Sequence, residues 1–153
     1  MKYNWLIFIL YFLNILSVNA QDITYYKSII DTTQNITLKL TSLDSILSKS
    51  FRKDNDLFIE SSLQYIEIAK EVDSIEKAAK KAMNLQYILT NLKNDPRKAV
   101  TVIDGVLAYK YKIKDSFLLG GLHLKRGGAN FRLDLKKAII DYTNANNVWI
   151  RCC

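Results

Sequence analysis

The stretch Leu124-Lys125-Arg126-Gly127-Gly128-Ala129-Asn130-Phe131-Arg132-Leu133-Asp134-Leu135-Lys136-Lys137-Ala138-Ile139-Ile140-Asp141-Tyr142-Thr143-Asn144-Ala145 decides the fold. Its second half places Ala138, Tyr142 and Ala145 at steps of four and three, the spacing that returns side chains to one face of a helix. Its first half carries Gly127 and, four residues on, Phe131. Asp134 stands between the halves, a residue whose carboxylate can accept from the unpaired amides of a following helix. Two helices joined by a tight turn are therefore predicted. Small residues let the helices approach closely, and aromatic rings fill the gaps beside them.

Working outward, the same spacing recurs. Asp115-Ser116 opens the helix that runs to about Leu133. Asn94-Asp95-Pro96 opens another, with Asp95 as cap and Pro96 at the first helical position, where no amide donor is needed; Ala99, Val102, Ile103, Val106 and Tyr109 continue it. Asp73-Ser74-Ile75-Glu76 resembles a capping box and leads into Ala78, Ala82, Leu85, Ile88 and Leu92. Ile59, Leu63, Ile66 and Ala69 form a stripe ending near Val72. Before the break at Arg52–Asp56, Ile36, Leu40, Leu43, Leu47 and Phe51 form one more. Sustained polar–apolar alternation is absent, and Asp104-Gly105 falls inside a helical pattern rather than at a hairpin turn. The predicted fold class is all-α. Short connections force neighbouring helices antiparallel, so the segments read as about three hairpins in series. Ala99 precedes Ala138 by 39 residues, as Ile103 precedes Tyr142, and the openings Asp73-Ser74 and Asp115-Ser116 lie 42 apart. Such recurrence is the mark of an internal repeat.

On these residues the Leu124–Ala145 unit is similar to a tetratricopeptide repeat. Gly127, Phe131, Ala138, Tyr142 and Ala145 fill that family's small and aromatic packing roles, although the turn lacks the usual glycine before Asp134. The preceding unit resembles it through Leu85, Leu89, Ala99, Ile103 and Val106. The resemblance implies a short α-solenoid over residues 36–146, with 147–153 as a tail. It also implies that the first helix of each hairpin lines a groove that grips a protein or peptide. On the helix from Ser116, His123, Arg126 and Asn130 make one stripe, and Lys125 and Arg132 a second; these are the expected contact residues. Their charge would favour an acidic peptide or a chain carboxylate.

The first twenty residues read as a leader. Lys2 precedes the apolar run Trp5–Leu13, broken by Asn14, and Val18 and Ala20 suit signal-peptidase cleavage before Gln21. Residues 21–35 form a lead-in. The run is short for a membrane span of roughly 20 apolar residues, so export to a periplasm or the exterior is expected, with an uncleaved anchor as the alternative. No transmembrane segment is expected in the mature chain. Losing Lys2 lowers the formal charge from +7 to +6. The lysines are dispersed, unlike the concentrated basic face of a nucleic-acid binder, so no nucleic-acid partner is expected.

Chemistry has little to work with. The one histidine, His123, has no nucleophile or carboxylate at a catalytic spacing, and Gly120-Gly121 and Gly127-Gly128 lack the Gly-Lys-Ser/Thr of a phosphate loop. Glu60, Glu67, Glu71 and Glu76 read as a solvated face. Neither a metal nor a cofactor is expected, since Cys152 and Cys153 have too few companion ligands. Adjacent cysteines suit a bridge between chains better than one to each other. Asn35-Ile36-Thr37 is a glycosylation sequon, though the Ile, Asn and Lys usage points to a bacterial chain. The apolar ending Val148-Trp149-Ile150 caps nothing, and self-association through that end is expected. The function anticipated is a non-catalytic binding scaffold. The alternatives are a sensory fragment of a larger membrane-anchored signalling protein and an exported enzyme of unknown type.

Overall fold

The computed structural model describes residues 23–150. The expected leader and Cys152 and Cys153 lie outside these residues. Every regular element among those described is helical and none is a strand, as the periodicity predicts. The chain falls into two compact units that meet at Lys49 and Ser50.

In the first unit, helix α1 (residues 23–32) occupies the stretch read as a lead-in and is followed by α2 (Ile36–Ser50). Asn35 opens α2: its Oδ1 accepts the amide of Leu38 at 3.1 Å. Leu40, Leu43, Ile46 and Leu47 are the buried stripe of α2.

The second unit holds α3 (Asn55–Glu71), α4 (Ile75–Tyr87), a π-helical turn (Ile88–Leu92), α5 (Pro96–Leu107), a short 3-10 turn (Lys110–Lys112), α6 (Ser116–Asn130) and α7 (Leu135–Ile150). Caps set most of the starts. Asp54, Asp95 and Asp115 each accept a first-turn amide at 3.0 Å, and Asp134 accepts from Lys136 and Lys137. Asp73 behaves differently from the capping box read in the sequence. It takes φ 58° as the left-handed residue after α3, its carboxylate pairs with Lys112 at 2.6 Å, and Ser74 takes the cap position without a side-chain bond.

Within the second unit each helix from α3 to α6 packs on the next, and α4 also touches α6. The alanines explain how α4 meets several neighbours. Ala78, Ala79 and Ala82 are fully buried, and their small side chains leave room for other backbones. Around them Leu85, Ile88, Leu89, Ile103 and Leu122 close the core, each contributing about 1.5–3 kcal/mol by leaving water.

The pairing of α6 with α7 is antiparallel: Gly120 lies against Trp149, and Gly127 against Tyr142. A methyl on Gly127 would stand 2.6 Å from the Tyr142 ring. Ala138 and Ala145 are buried on the same face of α7. Phe131 departs from the expected packing role, lying in the turn after α6 with 64% of its surface exposed. The ending departs too. Residues 147–150 continue α7 rather than forming a separate tail, and the Trp149 ring covers Gly120 and lies 6.1 Å from Phe117.

Candidate interaction groove

Two clefts flank α6, and between them they hold four of the five residues expected to contact a partner. The first, about 360 Å³, lies between the C-terminal end of α4 and α6. Gln86, Tyr87, Thr90 and Asn91 line one wall, Lys125, Gly128 and Arg132 the other, with Tyr142 and Leu124 also at its lining. The π-helical turn shapes this wall. The amide of Lys93 reaches back five residues to the carbonyl of Ile88 at 3.0 Å, and that of Asp95 reaches Leu89 at 2.8 Å. Carbonyls at the end of a helix need outside donors. Thr90 finds one in Arg132, whose guanidinium donates to its carbonyl at 2.7 Å and to the Asn91 side chain at 3.2 Å.

The buried Gln86 is held in place by donating to the Thr90 hydroxyl at 3.1 Å. Beside the cleft, Arg52 donates to the Tyr87 hydroxyl at 3.3 Å, and its guanidinium lies 5.3 Å from the Tyr87 ring centre. Lys125 and Arg132 line the cleft, Arg52 stands next to it, and none of its lining residues is a carboxylate. The result is an open, polar groove with a positive rim and two tyrosine rings.

The second cleft, about 270 Å³, lies on the opposite side of α6, against α5 and α7. Arg126 dominates it. Its Nε and one terminal nitrogen donate to Asp141 Oδ1 at 2.8 and 2.5 Å, and the other terminal nitrogen donates to Asp104 at 2.6 Å. Asn130 donates to the second oxygen of Asp141 at 2.8 Å. Asp141 is 2% exposed, so this is a buried carboxylate satisfied on both oxygens. Burial works against the charge of Arg126, but the bonds to Asp141 and Asp104 outweigh it and raise the guanidinium pKa. His123 lies on the same stripe. Burial, followed by the nearby Arg126 charge, holds its imidazole pKa below the ordinary value, and its Nδ1 is buried with no hydrogen-bond partner among the described residues.

Of the five residues expected to face a partner, Arg126 and Asn130 are thus committed to joining α5, α6 and α7. Arg132 braces the end of α4 while lining the groove, Lys125 lines it, and His123 is half-buried. Ala99 and Ile103 are fully buried in α5. Sequence reasoning missed Asp141, Asp104, Tyr87 and Arg52. Asp141 carried a readable signal, because it stands between Ala138 and Ala145 on the apolar stripe of α7, where an unpaired carboxylate would be costly. Among the described residues no cluster of histidine, cysteine and carboxylates is arranged to hold a metal, and no helix is long and apolar enough to cross a membrane. Neither a protein-family model, a curated protein nor a solved structure matches the chain.

Proposed function

We propose that this chain is an exported, non-catalytic scaffold of stacked helical hairpins, similar to tetratricopeptide repeats, that holds an acidic peptide segment in the groove between α4 and α6. The observation that carries this reading is the groove itself, with Lys125 and Arg132 in its lining, Arg52 beside it and no carboxylate among its lining residues. The contact of α4 with α6 supports the stacking, since in an array of helical hairpins the first helices of successive hairpins lie side by side. So does the fastening between hairpin openings: Glu76 accepts the amides of Lys114 and Asp115 at 3.0 and 3.1 Å. An opposite charge fits the positive rim, and two tyrosine rings offer apolar faces with polar tips.

The test is fluorescence anisotropy against a set of short labelled peptides, acidic, neutral and basic. Acidic peptides should bind, the affinity should fall as salt rises, and Lys125→Glu should weaken it about tenfold without changing the helical circular dichroism. Equal binding of all three peptide classes, or none, would remove the reading. Export is tested separately by the mass of the mature N-terminus, expected to begin at Gln21; a retained Met1 in the membrane fraction would instead indicate an anchor.

A further inference from the structure

Met83 is the one methionine of the chain besides Met1. It lies half-buried on α4, and its side chain rests on α6 at Gly121, which is buried. A methyl group on Gly121 would stand 2.8 Å from Met83 Cε and 3.3 Å from its Sδ, so the bare glycine is what admits the thioether. The contact sets how closely the two helices approach at this level.

Its place along the helices ties it to the groove. Gln86 and Tyr87 follow Met83 by three and four residues, and Leu124 and Lys125 follow Gly121 by the same steps. All four line the groove between α4 and α6. A helical turn takes about 3.6 residues, so the thioether sits one turn before the groove on both walls.

We propose that Met83 is an oxidation site through which a peroxide loosens the α4–α6 contact and weakens the groove. The proposal rests on the groove described above. Peroxide transfers one oxygen atom to the thioether sulfur: the sulfur gives up two electrons, the O–O bond breaks, and the other oxygen leaves as water. The resulting sulfoxide is polar where the thioether was apolar. Its oxygen is also an added atom at a contact that has no room for a methyl group on the glycine side. Overpacking and the loss of hydration at a polar oxygen both favour separation of the two helices.

Peroxide titration of the chain carrying Cys152→Ser and Cys153→Ser tests the proposal, with no thiol left to consume oxidant. Peptide mass mapping should place one added oxygen on Met83. The oxidised chain should unfold at lower urea and bind the labelled acidic peptide about tenfold more weakly. Methionine sulfoxide reductases should restore both properties. Met83→Leu, which keeps the apolar volume, should behave like the unoxidised chain before and after peroxide. Gly121→Ala should imitate oxidation, and adding Met83→Ala should relieve it. Urea unfolding reads the helix contact with no peptide present. A chain that binds no peptide in either state would remove the groove reading, yet a lowered midpoint in its sulfoxide form would still support Met83 as the site that loosens the contact. A Met83 left unoxidised in the folded chain, or a sulfoxide with an unchanged urea midpoint, would overturn the proposal. So would equal peptide affinity of the two states where the unoxidised chain binds.

Discussion

Arg126 on α6 and Asp141 on α7 are joined by two hydrogen bonds to one carboxylate oxygen, at 2.8 and 2.5 Å, with the carboxylate almost wholly removed from water. Breaking such a pair from one side leaves an uncompensated charge, whereas replacing both members with apolar groups relieves both desolvation costs. Arg126→Met should therefore destabilise the chain by about 3 kcal/mol in urea unfolding. Arg126→Met with Asp141→Leu should recover most of that loss. A single variant as stable as the wild type would show that water reaches Asp141.

The close approach of α6 and α7 depends on small residues. Ala138 is fully buried on α7, so Ala138→Leu should overpack the contact and cost about 1–3 kcal/mol. At Gly127, a methyl would collide with the Tyr142 ring, which is 38% exposed and has solvent to move into. Gly127→Ala should cost less when combined with Tyr142→Ala, and a double-mutant cycle measures the coupling. Purely additive effects would mean the ring does not rest on the glycine.

His123 supplies a pH dependence. Burial, then the Arg126 charge, lowers its folded pKa below the ordinary 6.5, so the imidazole resists protonation in the fold more than in the unfolded chain. Below pH 6.5 the unfolded state then binds more protons, and stability falls as pH falls toward the folded pKa. His123→Gln should flatten this part of the profile. Stability curves of wild type and variant that run parallel between pH 7 and pH 5 would contradict it.

The outer face of α7 exposes Leu135, Ile139 and Ile140, with Phe131 and Leu133 in the turn before it. Apolar surface of this kind favours association. Sedimentation should show an oligomer that survives Cys152→Ser with Cys153→Ser but dissociates on Ile139→Glu. A wild-type chain that stays monomeric at high concentration would mean that the packing of Trp149 on Gly120 is closure enough.

Local chemistry was legible in the residues. Helical spacing, the caps at Asp95, Asp115 and Asp134, and Pro96 at a first helical position act over a few residues of chain, so the order of letters contains them. The buried alanines and the small residue at Gly127 were legible for the same reason, because a stripe of one face reports burial before its partner is known. The Asp73 cap failed because Asp73 closes α3 in the left-handed region, leaving the cap position to Ser74, and its carboxylate turns instead to Lys112, 39 residues away, a partner no local rule sees. The basic stripes of α6 show the same limit. His123, Arg126 and Asn130 share a face, as do Lys125 and Arg132, but spacing cannot tell a charge that meets solvent from one that meets Asp141 or the end of α4. That assignment comes from the placement of α5 and α7 on one side of α6 and α4 on the other, which turns one row of charges into an internal brace and leaves Lys125 in the open groove.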